Sequence, residues 1–170
     1  MAIISQIHTQ KSGWQTAVLF TLMFWLSGSL ILDTIVMPVL YTSGMMDESG
    51  FAAAGYSLFW VFNRIELLCA AVILTGILIH CHRLNGQRRL DQKPIFLAAI
   101  LLVVALIYTY GLTPQMSSLG LQLNLFNSTV EPPVLMNSLH AGYWLLELLK
   151  LGGGAILLKT CLDYSEPIVQ

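Results

Sequence analysis

The chain has 170 residues, of which 56% are hydrophobic and 10% charged, with a formal net charge of -1. An ordinary soluble domain carries about 25% charged residues, so the composition places the chain in the polytopic membrane class and leaves no length for a separate soluble catalytic domain. A near-neutral balance without a basic run argues against a nucleic-acid partner. Cys69, Cys81 and Cys161 are odd in number and fit no CxxC spacing, which argues against a disulfide framework.

The N-terminal MAIISQIHTQKSGW has neither a basic leader nor a long apolar core, so a cleavable signal peptide is not expected. A first span is expected over about residues 14–41. Trp14 and Tyr41 suit the two membrane interfaces. Ser27, Gly28 and Ser29 are small residues of the kind that lets two helices approach closely. Asp33 is its only charge, and Pro38 sits near its far end. The acidic, Gly-containing loop TSGMMDESGF follows.

A second span covers about residues 56–80 and carries Asn63, Arg64 and Glu66 within four positions of an otherwise apolar run. Charges at membrane depth face protein interiors and find partners. The connection RLNGQRRLDQKP then holds Arg83, Arg88, Arg89 and Lys93. Asn85-Gly86 marks a turn there, and Asp91 with Pro94 suits a helix start. The third span, about residues 95–111, includes the charge-free run FLAAILLVVALIY.

Residues 112–133 are too apolar for a solvated loop and too broken for a span; a short interfacial helix and a strand-like segment both fit. Asn127-Ser128-Thr129 matches the N-glycosylation pattern, which matters only in a secretory lumen. A fourth span, about residues 134–161, carries His140, Glu147 and Lys150, then Gly152, Gly153 and Gly154.

Basic residues set the expected orientation. The connection between the second and third spans holds four Lys or Arg and the other two inter-span connections hold none, while Lys11 and Lys159 flank the outer ends of the first and fourth spans. The positive-inside rule then predicts an all-α, antiparallel up-down four-helix bundle, integral to the membrane, with both termini cytoplasmic.

Counting down from the opposite side at 1.5 Å per residue places Asp33 and Arg64 about 12 Å deep, Glu66 about 15 Å and His140 about 10 Å. This depth match predicts a polar cluster of Asp33, Asn63, Arg64, Glu66 and His140 in the outer half of the bilayer, with the Arg64 fork bridging the carboxylates. Such a network serves either as interhelical glue or as a functional site. Tyr143 and Glu147 follow His140 at helical spacing and extend a polar path inward. Glu147 with Lys150 is read as a pair snorkelling toward the inner interface.

Three stretches, WLSGSLILDTIVMPVLYTSGMM, FNRIELLCA and NSLHAGYWLLELL, carry a resemblance over nearly the whole chain. They resemble the domain of unknown function 4149 family, small four-helix membrane proteins that include transmembrane protein 205-like sequences. The matching pieces are Trp25 and Gly28, followed by Pro38, and the late His140. That family is distantly similar to the copper resistance D membrane proteins and to the membrane-bound protoporphyrinogen oxidases. The resemblance implies architecture and assigns no activity, and Arg64 with Glu66 matches no ligand set of those relatives.

Copper and haem are the cofactors to weigh. Met37, Met45, Met46, Met116 and Met136 gather at the non-cytoplasmic end, where thioethers with His140 suit Cu(I). They also suit plain gap filling. A haem would take His140 with a Met, because His80 lies at the opposite face. No nucleophile elbow accompanies Ser27 or Ser29. The chain therefore reads as a bilayer protein that binds or passes a small solute, a proton or a metal ion through its polar cluster. The competing readings are a non-catalytic scaffold or assembly factor and a haem-binding redox protein, with a membrane-protein partner or a second copy as company.

Overall fold

The computed structural model describes residues 13–45, 50–84, 92–126 and 134–163. Lys11, Met46, Arg88, Arg89, Asp91 and the Asn127-Ser128-Thr129 triplet lie outside them. The described residues are helical with no strand. Helix α1 (Gly13–Ile31) runs through a π segment (Leu32–Val36) into α2 (Met37–Thr42). Helix α3 (Phe51–Leu84) is the longest, and α4 (Lys93–Ile107) passes through a second π segment (Tyr108–Leu112) into α5 (Thr113–Phe126). Helix α6 (Val134–Asp163) closes the chain.

Gly13–Thr42, Ala53–Cys81 and Lys93–Gly120 are each long and apolar enough to cross a membrane. Large apolar side chains such as Phe20, Leu68, Phe96 and Leu145 point outward, which suits a hydrocarbon surround. The segment after residue 111, left open between interfacial helix and strand, is helical and continues α4 directly.

Both π segments have the same local cause. Pro38 and Pro114 stand at the start of α2 and within the first turn of α5. A proline lacks an N–H, and its ring collides with the carbonyl four residues back, so an α-helical ladder cannot run through it undisturbed. One wider turn just before each proline accommodates it. Met37 N–H accordingly bonds to the Leu32 carbonyl, and Thr113 N–H to that of Tyr108, each reaching back five residues.

The helices close a ring in which α1 packs on α3, α3 on α4 and α5, α4 on α6, and α6 on α1. The core between them holds Leu22, Trp25, Ile73, Ala98, Leu101 and Leu157. Helices α1 and α3 approach closely at Gly76, where a Cβ would overlap the Val18 side chain. On α6, a Cβ at Gly154 would lie 2.6 Å from a Leu26 methyl, so this glycine too is set by close approach. Gly152 faces open space.

Candidate functional site: a buried lysine among three carboxyls

All four sides of the ring send polar side chains to one place. Trp25, Ser29 and Asp33 repeat every fourth residue and share one face of α1 and its π continuation. Glu66 comes from near the middle of α3, and Tyr108 from the first position of the second π segment. Tyr143, Glu147 and Lys150 form an i, i+4, i+7 stripe on α6.

Lys150 is the cation at the centre, 2% exposed. Its Nζ donates to Glu66 Oε1 at 2.6 Å and to Glu147 Oε2 at 2.7 Å. Glu66 Oε1 also accepts from Trp25 Nε1 at 2.8 Å and from Ser29 Oγ at 3.2 Å. One carboxylate oxygen therefore ties α1 and α6 to α3. The Tyr108 hydroxyl lies 3.0 Å from Glu147 Oε2 and 3.1 Å from the Tyr143 carbonyl oxygen, and its ring sits 5.1 Å from Lys150 Nζ. The Tyr143 ring packs tilted against that of Tyr108, with centroids 5.2 Å apart, and its hydroxyl donates to Asp33 Oδ1 at 2.7 Å.

The charge inventory is uneven: Asp33, Glu66 and Glu147 are three buried carboxyls around one ammonium. Asp33 Oδ2 and Glu147 Oε1 are both buried without a hydrogen-bonding partner. Those two carboxyls are also near enough to interact directly. Two facing carboxylates repel in a low-dielectric interior, whereas one proton between them turns repulsion into a hydrogen bond.

The expected cluster is revised by this geometry. Asp33 and Glu66 are in it, but Arg64 and His140 are not. Successive residues on a helix turn by about 100°, so Arg64 stands on the far side of α3 from Glu66. Its guanidinium carbon lies 3.5 Å over the Trp60 ring, and it donates to the Trp60 carbonyl at 3.3 Å. His140 is exposed, with Nδ1 2.9 Å from the Met136 carbonyl oxygen one turn back. Asn63 is buried beside the cluster, with Nδ2 donating to Thr113 Oγ1 at 2.6 Å.

Lys150 takes the bridging role assigned to Arg64. The Glu147–Lys150 pair, expected to snorkel at the inner interface, is instead among the most buried side chains of the protein. It sits near the midpoint of α6, as Glu66 does on α3, so the cluster lies at mid-helix depth. Trp25, Ser29, Tyr108 and Lys150 were missed as members. The four-residue spacing of Trp25, Ser29 and Asp33, and the stripe from Tyr143 to Lys150, carry the signal that finds three of them. Tyr108 follows Leu101, Val104 and Ala105 at helical spacing on the buried face of α4, so the same periodicity is the signal that finds it.

The metal candidates do not converge. Met37 and Met136 are half-buried and His140 points outward. Among the described residues, no three His, Cys, Asp or Glu side chains form a group that could hold a metal ion. No family model matches the chain, and neither a curated protein nor a solved structure matches it.

Proposed function

We propose that this is a four-span integral membrane protein whose mid-bundle cluster accepts and passes a proton, with Asp33 and Glu147 as the pair that shares it. Helix α6, 30 residues long, is the fourth span in this reading. The observation that carries it is the pair of buried, unpartnered oxygens on two neighbouring carboxyls, Asp33 Oδ2 and Glu147 Oε1. Beyond them, Tyr143, Tyr108, Glu147, Lys150 and Glu66 form a continuous set of donors and acceptors along about 10 Å of α6. Ionisable groups buried at membrane depth mark proton relays when they form such chains. The resident ammonium holds the site together while the carboxyl pair exchanges its proton.

A second reading has its own observation. Glu66 Oε1 takes donors from two other helices, which is the arrangement of a structural lock. In that case the protein is a scaffold and the cluster only fixes its shape.

Proteoliposomes loaded with a pH-sensitive dye separate the two. The proton reading expects wild-type protein to dissipate an imposed pH gradient faster than Glu147→Gln or Asp33→Asn. Either amide keeps the shape and supplies its own N–H to the facing oxygen. If wild type and both variants leak no faster than protein-free vesicles, the proton reading is lost and the lock remains.

A further inference from the structure

Arg64 is a charged side chain within the apolar run of α3 that the cluster leaves out. It is exposed on α3, and among the described residues no carboxylate pairs with it. Its guanidinium is nonetheless ordered by the stack on Trp60 and the bond to the Trp60 carbonyl. A guanidinium carries five N–H donors in a fixed fork, and that single bond leaves several of them directed away from the helix.

Beside the fork lies a cleft of about 210 Å³ between α3 and the turn from the second π segment into α5. Trp60, Asn63, Arg64, Thr109, Tyr110 and Thr113 line it. The π turn and Pro114 shape its far wall. Arg64 is the one charge of this lining, and it is positive.

Depth narrows what fills the cleft. Arg64 reaches back to the carbonyl four residues earlier, which puts its charge near the level of Trp60. That is about 6 Å below Tyr56, itself part of the lining and suited to the interface. An arginine at this level, open to the surround, is balanced most directly by an anion at the headgroup boundary. Below it the same helix exposes Val61, Ile65 and Leu68, an apolar face along which an acyl chain can lie.

We infer that the cleft beside Arg64 binds the phosphate of an anionic phospholipid, with the guanidinium fork on the phosphate oxygens and an acyl chain along Val61, Ile65 and Leu68. Arg, rather than Lys, fits this use because its planar fork matches two phosphate oxygens at once. The inference rests on α3 spanning the membrane and is independent of the proton reading.

Native mass spectrometry of the full chain in detergent tests it, with dioleoyl phosphatidylglycerol as the probe. Wild type is expected to retain one lipid, and Arg64→Gln to lose at least tenfold in affinity. Arg64→Lys should recover part of that loss, and dioleoyl phosphatidylcholine, whose phosphate is neutralised by its own choline cation, should bind wild type more weakly than the phosphatidylglycerol does. Equal retention of the anionic lipid by wild type and Arg64→Gln overturns the inference. Displacement of the lipid by an equal concentration of inorganic phosphate also overturns it, because the tail would then contribute nothing. Flotation with neutral vesicles separates the failures: a chain that floats but shows no anionic preference refutes only the lipid site, and one that fails to float refutes the membrane reading itself.

Discussion

Removing the Lys150 ammonium leaves Glu66 and Glu147 as buried carboxylates without their shared cation. Breaking a buried pair by deleting one partner typically costs about 3–5 kcal/mol, well above the value of a surface bridge. Lys150→Met is therefore expected to lower the thermal unfolding midpoint of the detergent-solubilised protein markedly, read from tryptophan fluorescence, to which Trp25, a donor into the same site, contributes. Arg64→Ala should change stability by no more than about 0.5 kcal/mol, as expected of a surface substitution away from caps and cores. The reverse order of the two effects would mean that Arg64, not Lys150, holds the bundle. At this scale the sequence was half legible. Composition and the isolated charges pointed to Asp33 and Glu66, and the depth count brought them to a similar level. Depth says nothing about azimuth, however. The 100° turn per residue separates Arg64 from Glu66 and joins Asn63 to Glu66 across three positions.

At the scale of elements, two kinds of local chemistry set the geometry. The prolines at 38 and 114 each impose a wide turn, and Asp33 and Tyr108 stand at the start of those turns, still in phase with the helices before them. Bulges of this kind recur at functional positions. Helical spans were readable from apolar run length, but their course beyond a π turn was not, which is why the residues that continue into α5 suit both an interfacial helix and a strand-like segment. Close approach is the second device. A methyl added at Gly76 would occupy the space of the Val18 side chain. Gly76→Ala is expected to destabilise by about 1–3 kcal/mol, the usual cost of overpacking. Val18→Ala made together with Gly76→Ala should recover part of that loss in a double-mutant cycle. Strict additivity of the two in thermal unfolding would show that the helices do not meet there.

The described residues form a ring of helices with many large apolar side chains exposed and a charged cluster buried at its centre, the reverse of a water-soluble domain. Apolar side chains outside and polar groups inside are what hydrocarbon solvent demands, since each interior charge must find its partner within the protein. The distribution of Lys and Arg predicts that both ends of the chain and the connection containing Arg88 face the cytoplasm. Reporter fusions should place residue 44 on the side opposite to that connection and to the C-terminus. Finding residue 44 and that connection on one side would remove α3 from the membrane. Only mid-helix packing brings the three carboxyls and one ammonium together, so the proton account depends on all four helices lining one interior.

Infrared spectroscopy of the reconstituted protein at neutral pH tests that account most directly, through the C=O stretch of a protonated carboxyl and its shift in heavy water. A proton shared by Asp33 and Glu147 predicts a band with the intensity of about one carboxyl per chain, as one proton per pair requires. That band should disappear in both Glu147→Gln and Asp33→Asn while each variant remains folded. A wild-type spectrum with no such band, or a band that survives unchanged in both variants, would contradict the account.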